Sequence, residues 1–174
     1  MEKTGLPLIS NDKTVNPPKG WPYDRVVGRC FERYSCHISV VKAFIALAAI
    51  PVDKRSGGVK DTIEMGVEYI LIHHIHKRSH NLNRVSKPSW LQFGFPLMYQ
   101  TDVLEILGIL TKLGYRDERM QEAVELVISK QDYTGKWILE NTFNGRFQTN
   151  IEQKGKTSKW ITLNALKVLK NFYA

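Results

Sequence analysis

Three stretches of the chain carry the same order of apolar and polar positions and align without gaps: Val41–Leu47, Leu104–Leu110 and Leu163–Leu169. Apolar residues stand at the first, third, fourth, sixth and seventh places of each. A stripe that wide predicts helices packed on most of their circumference. Between them, Val59–Leu71 and Met120–Ile128 repeat apolar residues at i, i+3 or i+4 and i+7, with acids and lysines opposite. That narrower stripe suits a helix with one side in water. The chain therefore reads as alternating inner and outer helices, with a period of about 60 residues. Breaks at Pro51 and at Gly114–Arg116 predict tight αα-hairpins from inner to outer helix. No stretch reads as a run of strands.

The returns from outer to inner helix are long, and each holds a tryptophan beside turn-forming residues: Trp21, Trp90 and Trp137. The last is part of a Gln-x-x-x-Gly-x-Trp string from Gln131 to Trp137. A glutamine there can bond exposed backbone at a helix end. The indole stacks over a turn and contributes about 1 kcal/mol beyond its buried area.

The Gln131–Trp137 string resembles the QW motif of squalene and oxidosqualene cyclases. The inner/outer alternation is similar to that of protein prenyltransferase β-subunits. More closely, Gly20–Asp24, Cys36-His37, Arg116–Met120 and Phe143–Arg146 are similar to C-terminal segments of uncharacterised prokaryotic toroid proteins. This likeness runs from about Trp21 to the C-terminus. It implies an all-α fold: an α/α-hairpin repeat forming a partial, half α/α toroid of about five to six helices. Residues 1–20 are then an N-terminal segment, the tail of a preceding repeat, and residues 21–174 the repeat domain. The resemblance also implies a cavity lined by inner helices that takes an apolar or isoprenoid-like small ligand. The cyclase acid Asp-x-Asp-Asp and the magnesium motif Asp-Asp-x-x-Asp are both missing, as is the spacing of the prenyltransferase zinc ligands. A fold and a cavity are implied, without a reaction.

A closed toroid uses about a dozen helices, so the chain is expected to be a C-terminal half. The alternative function follows from that: an interaction module that completes a toroid by dimerisation or with a partner half. The third inner helix keeps Leu163, Leu166, Val168, Leu169 and Phe172 apolar to its end. That stripe is expected to meet the segment Gly5–Val15 or another chain, giving a homo-oligomer or a complex with the missing N-terminal half.

In such a repeat the inner-helix N-termini point at one end of the cavity, where free N–H groups favour a polar ligand. They hold Tyr34, Cys36 and His37, then Tyr99, Thr101 and Asp102, then Ser158, Lys159 and Trp160. Ser35, Thr101 or Asp102, and Thr157 or Ser158 also read as N-caps. Cys36, His37 and Asp102 are the catalytic candidates, and they are side chains that zinc accepts. His73, His74, His76 and His80 form a second cluster, with His80 one turn beyond His76 if the helix persists. The reading favoured there is of polar groups meeting free carbonyls at a helix end, since Lys77 and Arg78 repel a cation. Asn81–Pro96 carries Arg84, Lys87, Trp90, Phe93 and Phe95. It reads equally as a lid over the cavity or as a loop pinned by its own aromatics, and Arg146 in Asn141–Lys159 reads the same way. The candidate ligand-binding set is Tyr34, Cys36, His37, Arg84, Trp90, Tyr99, Asp102, Arg146 and Trp160.

At 174 residues and 43% hydrophobic, the chain can bury a core without staples. The two cysteines, Cys30 and Cys36, make neither a disulfide framework nor a zinc knuckle. No apolar run is long enough to span a bilayer and the N-terminus lacks a signal-peptide layout, so a cytoplasmic location is expected. The net charge of +8 is spread among acids along the chain, which argues against a nucleic-acid site.

Overall fold

The computed structural model describes residues 37–174. Among them, five α-helices form where the periodicity predicts: α1 (His37–Ala48), α2 (Gly57–Ile72), α3 (Val103–Lys112), α4 (Gln121–Ser129) and α5 (Lys159–Tyr173). With three short 3-10 turns, helix makes up about 52% of the structure, so the protein is mostly α. Tyr34, Cys36, the Gly20–Asp24 segment and the segment Gly5–Val15 lie outside the described residues.

Strands do form, contrary to the sequence reading. β1 (Lys77–Arg78) pairs antiparallel with β2 (Asn81–Val85), and β3 (Trp137–Ile138) with β4 (Thr157–Ser158). Three of the four are two residues long, too short for alternation to register. The β3–β4 pair closes the return between α4 and α5.

The chain divides into two compact units, Met1–Tyr69 and Ile70–Ala174. In the first, α1 ends before Pro51, and the Arg55 guanidinium donates to the Ala48 and Ile50 carbonyls at 2.8 and 2.9 Å. Those are carbonyls that a helix end leaves without partners. Gly66 of α2 sits against Phe44 of α1, where a Cβ would lie 3.1 Å from the ring. Glycine permits that close packing.

The second unit opens on the end of α2. Ile75 N–H donates to Ile70 O and His74 N–H to Leu71 O, a Schellman closure with a histidine in the left-handed position. His74 has φ 41° and Ile75 has φ 69°. Positive φ at a β-branched residue is costly, on the order of 1–3 kcal/mol. Complete burial of the Ile75 side chain offsets part of it. The helix therefore stops at Ile72 and does not persist to His80: a turn and the β1–β2 hairpin follow it.

α3 ends by the same closure with the more usual residue: Gly114, φ 89°, donates to Thr111 O and Tyr115 N–H to Leu110 O. The chain turns into α4 as predicted. Beyond α4, Asp132 Oδ1 accepts from Thr134 N, Thr134 Oγ1 and Lys136 N, and this carries the turn assigned above to Gln131. Trp137 is then fully buried, its Nε1–H donating to Val127 O of α4 at 2.7 Å. Its backbone N–H donates to Thr162 Oγ1 of α5 at 3.1 Å. One residue thus ties outer helix, β3 and inner helix together.

A candidate ligand groove between the inner helices

α3 and α5 lie side by side and run in the same direction. Asp102, the N-cap of α3, accepts from Gly94 N–H, while the neighbouring Phe95 stacks on Trp160 in the first turn of α5 (centroids 5.1 Å apart, planes at 14°). The two N-termini therefore share one loop. About two turns further on, a Cβ at Gly108 of α3 would stand 3.9 Å from Val168 of α5. Along this pair runs a half-open groove of about 620 Å3.

Phe95, Leu97, Leu104, Ile109 and Ile161 give the groove its apolar lining. Glu105, Lys112, Asn164, Lys167 and Asn171 supply the polar positions, the two lysines lying in the half away from the helix N-termini. An apolar lining with a few polar groups is the usual composition of a small-molecule site.

Of the catalytic candidates among the described residues, His37 does not line this groove and Asp102 does. Its Oδ1 accepts from Glu105 N–H and its Oδ2 from Gly94 N–H, both at 2.8 Å. A carboxylate so engaged caps a helix and latches a loop, as the N-cap reading anticipated. Ser158 likewise caps α5, accepting from Ile161 N–H at 3.0 Å, and its hydroxyl donates to Glu152. His37 belongs to the first unit, where its ring lies 5.6 Å from that of Tyr69. Among the described residues no three His, Cys, Asp or Glu side chains come together as a metal site.

The other candidates are dispersed. Trp90 is buried in a 3-10 turn, Pro88–Leu91. Phe93 beside it is fixed by Glu140, whose Oε2 accepts from Phe93 N–H at 2.8 Å. Lys130 pairs with Glu140 at 2.6 Å and stands over the Phe93 ring at 5.0 Å. This part of the return is pinned; of its aromatics, Phe95 alone lines the groove, between Gly94 and Leu97. Arg84 is exposed on the hairpin. Tyr99, 67% exposed, meets Phe143 edge-on at 5.8 Å, with Arg146 over the other ring at 5.6 Å.

The sequence reading missed Lys112, Lys167, Asn164 and Asn171. They sit at polar positions of inner-helix stripes, which the repeat pattern treats as incidental. Of the histidines, His76 alone is buried. Its Nε2 lies 4.0 Å from Glu122, which also pairs with Lys77, while Nδ1 has no hydrogen-bond partner. Burial holds its pKa below the ordinary imidazole value, against an opposing pull from Glu122. No helix of the described residues is long and apolar enough to cross a membrane. No protein-family model, curated protein or solved structure matches the chain.

Proposed function

We propose that the chain is an α/α-toroid-type repeat, related to terpenoid cyclases and prenyltransferase β-subunits, that binds an elongated apolar or isoprenoid-like molecule in the groove between α3 and α5. The observation that carries this reading is the α3–α5 groove: parallel inner helices enclosing about 620 Å3 with five apolar residues along it. That volume lies within the roughly 300–1,000 Å3 of small-molecule sites. The toroid reading is supported by the repeat spacing, the shared direction of α3 and α5, and the buried Trp137 of the QW-like string.

The role we assign is binding. The groove's carboxylates are Asp102, engaged by two backbone N–H groups, and Glu105. Asp102 therefore serves the architecture and is not an acid kept protonated for attack on a double bond.

Native mass spectrometry with farnesol as probe tests the proposal. The wild type should retain one molecule, and Gly108→Leu, which fills the groove floor, should lose it while keeping its helical signal. Absence of retention, or equal retention by the two proteins, would overturn the reading.

A further inference from the structure

The repeat permits a comparison of one position in two settings. Leu104 and Leu107 of α3 align with Leu163 and Leu166 of α5. The first pair is 3% and 0% exposed, the second 42% and 48%. Along a helix, Leu104, Leu107 and Gly108 share one face, and Val168 of α5 packs against it, with Ile161 and Ala165 of the same α5 stripe also buried. Among the described residues nothing covers the same face on α5. Beside Leu163 and Leu166 lies a shallow depression of about 390 Å3, walled by Lys136, Lys159 and Thr162. Contiguous exposed leucines rimmed by polar groups mark an interaction surface.

What fits there is set by the contact already made within the chain. Shifted back to α1, the positions of Ile161, Ala165 and Val168 are occupied by Ser39, Ala43 and Ala46. Ala46 is exposed, and Ser39 and Ala43 are half-exposed. The uncovered face of α5 offers large side chains, and the matching face of α1 is small enough to receive them. We infer that this face of α5 docks the Ser39–Ala43–Ala46 face of α1 in a second copy of the chain, head to tail, so that the contact between copies continues the α3–α5 contact within one.

Charge selects this arrangement over a symmetrical one. α5 carries Lys159, Lys167 and Lys170 and no acid, so two α5 faces brought together repel. α1 carries a single charged side chain, Lys42. A contact of this kind uses two different patches, and it builds a ring if the rotation closes and an open chain if it does not. The inference is independent of the ligand groove, which lies between α3 and α5 of one copy.

The test is complementation by two blocked variants, read by sedimentation velocity from micromolar to millimolar concentration. Leu166→Asp spoils the α5 face and Ala46→Arg the α1 face; both replace exposed residues. The wild type should assemble with rising concentration, and each variant alone should sediment as a monomer. An equimolar mixture should give a 1:1 heterodimer and nothing larger, since each partner retains one intact face. Circular dichroism checks folding, with Leu163→Asp and Ser39→Arg as substitutes should either variant unfold. A monomeric wild type throughout, self-association of either variant alone, or a mixture that fails to pair would overturn the inference. A partner protein or another part of the chain covering α5 would give the first of these.

Discussion

Replacing Trp137 should unfold the second unit in two measurable steps, because the indole contributes both volume and a hydrogen bond. Its side chain is fully buried and its Nε1–H donates to Val127 O at 2.7 Å. Trp137→Ala removes both, and large-to-small changes at buried aromatics cost about 3–5 kcal/mol. Trp137→Phe leaves a partial cavity and takes one of two donors from Val127 O, which keeps Lys130 N–H at 3.3 Å, a combined loss of about 1–3 kcal/mol. Thr162→Val removes only the acceptor of Trp137 N–H and should cost about 1 kcal/mol. For a unit near 100 residues, 1 kcal/mol moves Tm by roughly 4–8 °C. The three variants should therefore fall in the order Ala, Phe, Val, with the phenylalanine protein about 10 °C below wild type. Thermal melts followed by far-UV circular dichroism supply the ranking. Equal melting of the Ala and Phe variants would show that the ring volume is idle and the hydrogen bond is everything. An unchanged Tm in both would remove Trp137 from the structural role argued here.

Asp102→Ala strips the cap from α3 and the latch from Gly94 together and should lower stability by about 1–3 kcal/mol in urea titration; a change under half a unit would mean water replaces both bonds. Gly114→Ala forces a side chain into φ 89° and should destabilise by about 1–2 kcal/mol. Gly108→Ala, in ordinary contact with Val168 at 3.9 Å, should instead stabilise by about 0.5–1 kcal/mol. Opposite signs in differential scanning calorimetry are the result to look for. His76 has a lowered folded pKa, so the unfolded chain takes up its proton first as acid is added. Stability should be fully present above about pH 6.5 and should fall as pH drops from there through the folded pKa. Asp117, held low by the Arg119 hydrogen bond, adds a second loss below about pH 3.9. His76→Gln should flatten the first step and leave the second.

The five helices were legible because apolar spacing integrates over many residues, and Asp102 and Ser158 as caps because capping needs only a short local pattern. The Gly114 turn was legible for the same reason. The pattern of α2 stopped at Leu71, one residue from its observed end, but the turn beyond it was not legible, because His74 and Ile75 occupy left-handed backbone that neither residue favours. The β3–β4 sheet was invisible because Trp137 and Ser158 meet across a twenty-residue return, and the β1–β2 hairpin because β1 is only two residues long. The groove was half legible. Its apolar lining lies on the inner-helix stripes, but Lys112, Lys167 and the two asparagines become a site only when α3 and α5 run side by side.

The latch at Asp102 bears on how the molecule opens. One carboxylate holds an amide of α3 and an amide of the loop that carries Phe95 onto Trp160. Neither N–H can be released to solvent by loss of this carboxylate without exposing the other. In hydrogen–deuterium exchange, Gly94 and Glu105 should therefore belong to one cooperative opening, with similar protection free energies despite lying eleven positions apart in sequence. The groove would then be uncovered in a single local event rather than frayed from one side.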